Sequence, residues 1–573
     1  MSKNWIIQTP PSNSIVEELK QTLCISNVLA QILAQKGIHT YDAAKDFFRP
    51  RLDQLHDPFL LKDMDRAVAR IVQAIENKER ILLFGDYDVD GTSAVAVFWN
   101  VLSQYHEFLD FYIPDRYVEG YGVSTLGIDR AKEAGVNLII SLDCGIRSLD
   151  KVTYAKTLGI DFIVCDHHQP GETIPDCIVL DQMRKDCSYP YKGLSGCGVG
   201  FKLQQALQQT LYWDIELVWK QLDLVALSIG ADIVPLTGEN RILCFHGLAR
   251  LNEEPRIGIA TLVKIADKTF PLTLTDVVFI IAPRINAAGR IQSGKKSVEL
   301  MISEDEKDLQ EIAKSIDLDN QERRMLDAQI TYEALEMIEE DTSFSTKKST
   351  VLYHPEWHKG VVGIVASRII ESHYKPTIVL TESNGKATGS ARSIKGIDIH
   401  HALTLCEDVL IQFGGHAFAA GMTLEIEQIP VFKNKFEEVI ATLLSEEDKN
   451  EELIIDSEIT FESIFESTER IENIPKFKRI IDQMEPFGPQ QMKPVFLSKQ
   501  VSILDASLLK GEHLKMKVQQ GKIIFDAVGF RMAELYPLVL KGKPIDLVYT
   551  IELNTWKDKT SLQLIIKDLK VSK

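Results

Sequence analysis

Five short apolar runs recur between residues 81 and 180: Ile81–Phe84, Phe108–Ile113, Leu138–Leu142, Ile160–Cys165 and Cys177–Leu180. Segments with helical spacing separate them. Alternation of this kind is the signature of βαβ units, because parallel neighbours need a helix to carry the chain back. The pattern predicts an α/β fold with a parallel sheet, and in such sheets ligands collect beyond the carboxyl ends of the strands.

The residues at those ends are acidic. Leu82-Leu83-Phe84-Gly85 runs into Asp86-Tyr87-Asp88-Val89-Asp90-Gly91, Leu138–Leu142 into Asp143-Cys144-Gly145, and the run ending at Cys165 into Asp166-His167-His168. Alternate residues of an extended chain face the same way, so Asp86, Asp88 and Asp90 crowd together, and crowded anions repel unless a cation holds them. An EF-hand loop also opens Asp-x-Asp-x-Asp-Gly, but it needs a Glu at its twelfth position, which is Val97 here. Asp232 interrupts the apolar run Ile229–Leu236, where a carboxylate is costly to bury without a partner. Singly, these features have ordinary explanations: a strand-end Asp caps a helix, and a His pair belongs to a turn. Together, oxygen donors with imidazole suit Mn2+ or Mg2+ better than a thiolate-loving zinc site. Two such cations are the usual device for in-line attack on a phosphodiester.

The rest of the chain divides around this core. Residues 1–75 read as a helical N-terminal segment, with apolar positions at helical spacing in Val16–Lys36 and Met64–Ile75. The parallel-sheet domain covers 76–302. Residues 303–340 hold neither Gly nor Pro and predict a long connecting helix. A second α/β domain covers 341–454, with Glu446–Glu452 as a charged linker, and alternating runs such as Ile545–Ile551 predict a small β domain over 455–573. The net charge of −18 argues against a general nucleic-acid coat, yet residues 491–573 hold 14 Lys and Arg against 8 Asp and Glu, a basic lane in an acidic chain. No run approaches the roughly 18 apolar residues of a membrane span. No signal-peptide core follows Met-Ser-Lys-Asn-Trp, and eight scattered cysteines without a CxxC pair suit the reducing cytoplasm. Gly289–Lys296 nearly spells a P-loop, but Lys296 stands where Ser or Thr must reach magnesium, which argues against ATP.

On the acidic and histidine clusters the chain resembles the DHH phosphoesterase family, named for the run that is Asp166-His167-His168 here. Within it the likeness is to the exonucleases of single-stranded DNA, and it extends along nearly the whole chain. It includes Asp86–Gly91, Asp143–Gly145, Gly230–Leu236, Ala282–Arg290 and Glu356–Gly363. The resemblance implies that Asp88, Asp90, Asp143, His167 and Asp232 hold metal, with Asp143 shared by two ions. His168 would contact the scissile phosphate, and Asp166 would orient the histidines from behind. Smaller DHH enzymes place a metal-binding His where this chain has Phe84, so Asp86 is expected to take that part.

The second domain resembles the DHH-associated domain, whose glycine-rich signature is Gly414-Gly415-His416-Ala417-Phe418-Ala419-Ala420-Gly421 here. Backbone without side chains can approach phosphate oxygens closely. Ser390, Arg392 and Arg116 match segments that hold a DNA 5′ end, and Arg284, Asn286 and Arg290 are expected to bind phosphate with them. The stretch after 455 resembles an OB-fold barrel, entered through Glu485-Pro486-Phe487-Gly488, although Pro489-Gln490-Gln491-Met492 departs from the family's usual continuation. The implied activity is cytoplasmic 5′→3′ hydrolysis of single-stranded DNA to mononucleotides in DNA repair and recombination, with two Mn2+ or Mg2+ ions. A single-stranded-DNA-binding protein and a helicase are the implied partners. The alternatives are a phosphodiesterase for short oligonucleotides or cyclic dinucleotides, which generally lacks the OB-like tail and long helix, and a dead scaffold, which loses carboxylates that survive here.

Overall fold

The computed structural model describes residues 3–445, 450–471, 473–557 and 559–572; residues 446–449 of the charged linker lie outside them. The chain forms two compact units, one of residues 57–232 and 247–451, the other of residues 3–56, 233–246 and 452–573.

In the first unit the βαβ rhythm produces a five-stranded sheet. Its strands are Ile81–Gly85, Leu109–Tyr112, Leu138–Leu142, Asp161–Cys165 and Ile178–Leu180, ordered second, first, third, fourth, fifth, and all parallel. Every residue of the first and third strands is buried, which is why they read as unbroken apolar runs rather than alternation. Strand order reverses between these two, and that switch point opens a crevice at their carboxyl ends. The helix Val89–Leu102 leaves the first strand and packs between Gly196–Leu211 and Leu222–Ala231, buried nearly all round.

The connecting helix runs Glu306–Glu340, about 50 Å at 1.5 Å per residue. It starts at 306 rather than 303 because the Asp305 carboxylate accepts the amides of Lys307 and Asp308 and so caps it. Ile330, Ala334 and Ile338 of its last turns share a core with Val362, Val365 and Ile369 of the helix Val362–His373. That helix lies against a second sheet, ordered Gln412–His416, Ala419–Leu424, Lys386–Arg392, Thr377–Ser383, Thr350–Tyr353, antiparallel except for the last pair. The glycine-rich signature is a hairpin of this sheet, Gly414 opposite Gly421 and His416 opposite Ala419.

The second unit is built on a closed barrel. Phe496–Leu509, His513–Gln520, Ile523–Gly529, Lys559–Val571 and Ile545–Trp556 neighbour one another in that order, and the last pairs back onto the first. This is the OB-type ring, filled by Leu514, Met516, Val518, Phe525, Leu547, Tyr549 and Leu564. The N-terminal segment is not only helical, as its spacing predicts. Asn4–Ile7 is a strand paired in parallel with Glu452–Ile455, and the helices Asn13–Leu23 and Asn27–Gln35 share the barrel's core. Four residues are too few to show a period, and their partner lies more than 400 residues away. Among the described residues no helix is long and apolar enough to cross a membrane.

Candidate metal centre

The strand-end acids meet at the switch point. Asp88 caps the helix Val89–Leu102, its carboxylate accepting the Gly91 amide at 3.1 Å. Asp90, inside the first turn, is fixed on both oxygens: Oδ2 accepts the Gly196 amide at 2.7 Å, and Oδ1 accepts the Cys197 amide at 2.8 Å and the Ser228 hydroxyl at 2.6 Å. Those amides open the helix Gly196–Leu211, whose N-terminus favours an anion. Asp143 holds a left-handed backbone, φ 62°, a conformation rare outside glycine and concentrated at functional sites. Asp232 closes the helix Leu222–Ala231.

Three overlapping groups of side chains result. One ligand atom each from Asp86, Asp88 and Asp143 lies within 4.8 Å of the others; so do Asp90, His167 and Asp232, and so do Asp143, His167 and His168. His167 Nε2 is 3.2 Å from Asp143 Oδ1, 3.6 Å from Asp232 Oδ2 and 3.8 Å from Asp90 Oδ2. Burial first, then the neighbouring carboxylates, pushes Asp86, Asp143 and Asp232 far above the usual carboxylate range and raises Asp88 as well. Burial lowers His167.

Neither oxygen of Asp86, nor Asp143 Oδ1, nor His167 Nε2 has a hydrogen-bond partner (the amides of Tyr87 and Gly122 face Asp86 without reaching bonding geometry). A buried polar atom left unpaired costs about 1–3 kcal/mol. Orphaned acceptors grouped among like charges are the arrangement that cations satisfy, and hard oxygens with imidazole fit Mn2+ or Mg2+.

Asp166 stands behind this cluster. Its Oδ1 accepts the amides of His167 and His168, at 2.8 and 3.2 Å, and faces His168 Nδ1 at 2.7 Å, while Oδ2 accepts the Ile146 amide at 2.9 Å. Burial alone would raise its pKa, but the hydrogen bond and charge of His168 outweigh it and hold Asp166 at about 2. Against burial, the same bond lifts His168 to about 9. His168 Nε2 lies 3.1 Å from the Tyr121 hydroxyl, so both ring nitrogens are engaged and the ring is held from two sides.

Guanidinium groups gather beside the acids. A cavity of about 130 Å3 is lined by Asp86, Asp88, Tyr87 and Tyr121 together with Arg116, Asn286 and Arg290. Arg116 stacks over the Tyr87 ring, 5.1 Å from its centroid. Burial, then the charges of Arg116, Arg323 and Arg392, lowers Arg290 to about 10; burial and Arg116 also lower Arg392. Arg392 donates to Ser390 Oγ at 2.6 Å and to the Ala391 carbonyl at 2.8 Å. Among the described residues Arg116, Arg290 and Arg392 form no ion pair, although Arg116 and Arg290 line the same cavity as Asp86 and Asp88. Directly opposed residues of neighbouring strands share a face. Ser390 opposite Gly421 and Arg392 opposite Ala419 therefore lie on the same face as Gly414 and His416. Burial and the charges of Arg392 and His168 lower the His416 pKa. Gly415, on the other face, has φ 149° and would bring a Cβ within 2.3 Å of the Ala419 carbonyl.

Two expected phosphate contacts are engaged otherwise. Arg284 donates to Asp317 Oδ1 at 2.9 Å and to the Ile280 carbonyl at 2.8 Å, tying its helix to the long helix, and it does not line the cavity. Asn286 does line it, but its Oδ1 accepts the Val89 amide at 3.0 Å and braces the acidic turn. Conversely, Tyr121, Ser228 and Gly196 escape the sequence reading, and Gly363 enters it only as the end of the stretch Glu356–Gly363. A Cβ on Gly196 would lie 2.5 Å from Asp143 Oδ1, and one on Gly363 would lie 2.8 Å from the Arg392 guanidinium. The glycines of Ser195-Gly196-Cys197-Gly198 at a helix start were a signal for the first; Ser228, inside an apolar helix, carried none.

The chain matches three family models: the DHH family N-terminal domain over residues 80–229, the DHHA1 domain over 346–442 and the RecJ OB domain over 467–568. It is similar to the single-stranded-DNA-specific exonuclease RecJ of Bacillus subtilis (strain 168), 37% identical over 579 residues that cover 99% of this chain and 71% of that protein. The protein of the same name from Salmonella typhimurium (strain LT2) is 34% identical, with 89% of this chain and 90% of that one covered. Among solved structures, RecJ in complex with Mn2+ from Thermus thermophilus superposes with a TM-score of 0.84 at 26% identity, over 99% of this chain and 80% of that one. The chain belongs to the RecJ family of DHH-type, single-stranded-DNA-specific exonucleases.

Proposed function

We propose that the chain hydrolyses single-stranded DNA from its 5′ end and releases mononucleotides, with Mn2+ or Mg2+ as cofactor, in DNA repair and recombination. One observation carries this reading: crowded carboxylates and guanidinium groups that form no ion pair among the described residues line one small cavity. If the guanidinium side grips a terminal phosphate and the acidic side faces the bond to be cut, the distance from end to cut is fixed and short. A fixed short distance yields mononucleotides. The activity named for the relatives, and the Mn2+ in the Thermus thermophilus structure, support the substrate and the cofactor.

In this reading Asp86, Asp88, Asp90, Asp143, His167 and Asp232 hold two cations, with Asp143 reaching both sets of ligands. The chemistry supplied when they are bound is activation of water and neutralisation of charge on the phosphoryl oxygens. His168 would donate from Nε2 toward the scissile phosphate or its leaving oxygen in place of its contact with the Tyr121 hydroxyl, and Asp166 keeps that ring turned and charged. Arg116, Arg290, Ser390 and Arg392 grip the terminal phosphate by charge-assisted hydrogen bonds, with Gly414, Gly415 and His416 beside them.

The phosphoesterase domain spans 76–302, the connecting helix ends at 340, the DHH-associated domain spans 341–454 and the OB-like domain spans 455–573. Cytoplasmic location, a helicase that supplies single strands and a single-stranded-DNA-binding protein that coats them complete the proposal. End-labelled single- and double-stranded DNA and RNA, incubated with Mn2+ or EDTA and resolved by length, test it. Mononucleotides leaving the 5′ end of single strands only with Mn2+ are expected. Release from the 3′ end, or of oligonucleotides, defeats it.

A further inference from the structure

The stretch Glu356–Gly363 holds none of the roles assigned so far, yet it borders the guanidinium cluster at three points. His358 packs edge-on against Tyr117, the neighbour of Arg116, with ring centroids 5.9 Å apart. Gly360 presses on the Tyr117 hydroxyl and the Arg290 carbonyl so closely that a Cβ would lie 2.6 and 2.8 Å from them. Gly363 stands in the same way against Arg392 and Ser390. Lys359 lies between the first two of these contacts. Its side chain is half-buried, and among the described residues it forms neither an ion pair nor a hydrogen bond. Burial, and then the like charge of Arg116, lowers its pKa. A lysine's flexible stem lets its ammonium swing into water. A half-buried lysine whose neighbours on both sides in the chain border a guanidinium cluster, and which forms no ion pair among the described residues, is missing its counter-charge.

We propose that Lys359 is a specificity-determining residue of the 5′-end site, its ammonium taking an outer oxygen of the terminal phosphate alongside Arg116 and Arg392. The inference rests on reading that cluster as the 5′-end site. A terminal phosphate carries close to two negative charges at neutral pH, whereas a 5′-hydroxyl carries none. An added cation therefore separates the two ends. A point charge on a flexible stem grips less than a bidentate guanidinium, so the effect belongs at the low end for a charge-assisted bond, about tenfold in affinity.

The test is fluorescence anisotropy of single strands bearing a 5′-phosphate or a 5′-hydroxyl, bound to the full-length protein in EDTA so that no hydrolysis intervenes. Lys359→Met should lower the ratio of the two affinities about tenfold relative to wild type, and Lys359→Arg should restore most of it. A wild-type preference for 5′-phosphate that survives unchanged in Lys359→Met, or a variant that loses equally on both strands, overturns the inference alone. A wild type without any such preference overturns the reading of the cluster, and this inference with it.

Discussion

Replacing Gly196 by Ala probes the centre without replacing a candidate ligand. The added Cβ would lie 2.5 Å from both Cβ and Oδ1 of Asp143 and 2.7 Å from its Cα. Carbon atoms in favourable contact sit about 3.5–4.0 Å apart, so something must yield by roughly 1 Å. Asp143 is poorly placed to move: its backbone is already left-handed, and its amide is bonded to the Cys165 carbonyl at 2.9 Å. The Gly196 side is no freer, since its own amide holds Asp90. A displacement of ~1 Å at a reacting group costs about 10²-fold in rate, and overpacking costs about 1–3 kcal/mol of stability. Gly196→Ala should therefore fold, lose about 100-fold in kcat and bind Mn2+ more weakly. Initial rates on 5′-labelled single strands and calorimetric titration with Mn2+ measure both. Gly198→Ala is the control, because a Cβ there meets Leu194 and Ser195 at an ordinary 3.4–3.5 Å. Turnover and metal affinity within a few-fold of wild type in Gly196→Ala would show that Asp143 does not sit where the reaction needs it.

Three further outcomes follow from the same geometry. Arg392→Ala should lose most of its preference for 5′-phosphate over 5′-hydroxyl strands, since a charge-assisted bond is worth about 1.5–3 kcal/mol; parallel rates on the two ends check it, and equal losses would leave Arg392 as a structural cation. Without metal, Asp86, Asp143 and Asp232 keep their protons to higher pH in the folded protein than in the unfolded chain. The folded state then binds more protons, so metal-free stability should fall as pH rises above ~4, and Mn2+ should remove much of that slope; thermal unfolding in EDTA and in Mn2+ across mildly acidic to mildly alkaline pH decides it, a flat metal-free profile counting against the crowding. In the barrel, Tyr549→Phe removes a buried 2.8 Å hydrogen bond from Ser498 Oγ, which keeps its bond to the Ile459 carbonyl, and should destabilise by about 0.5–1.5 kcal/mol; an unchanged urea midpoint would reject that.

The legible parts of this molecule are those where one local pattern has one physical meaning. Ile81–Gly85 and Leu138–Leu142 are buried on both sides, so their sequences are unbroken apolar runs, and the acids that follow can only lie at the carboxyl edge. That makes the gathering of Asp86, Asp88, Asp90, Asp143, Asp166 and His167 at one edge legible in the sequence. The long helix was equally plain, because 35 residues without Gly or Pro leave few alternatives. What escaped depends on partners distant in sequence. Arg284 and Arg290 read alike in the sequence, and only the structure shows that Arg284 is paired with Asp317 across a helix contact. Asn4–Ile7 has no strand signature until Glu452–Ile455 pairs with it. Gly196 looks like any glycine at a helix start until Asp143 arrives against it.

A net charge of −18 on a protein that handles a polyanion is a paradox only while the charges are averaged. Many acids are already paired: Asp63 with Arg66 and Arg184, Glu79 and Asp161 with Arg70, Asp223 with Arg256. The unpaired ones that matter crowd inward, where cations would neutralise them. Arg116, Arg290 and Arg392 are the reverse case, cations gathered without an ion pair among the described residues. Screening at physiological ionic strength limits exposed charges to about 8 Å, so a phosphate in the cleft responds to that cluster and hardly at all to acids elsewhere on the surface. Away from the cleft the same acids disfavour loose binding along a duplex backbone. On the proposed reading, then, overall acidity works as selectivity: a strand gains attraction chiefly where its end can enter, and that is the one place from which the metal ligands can reach its first bond.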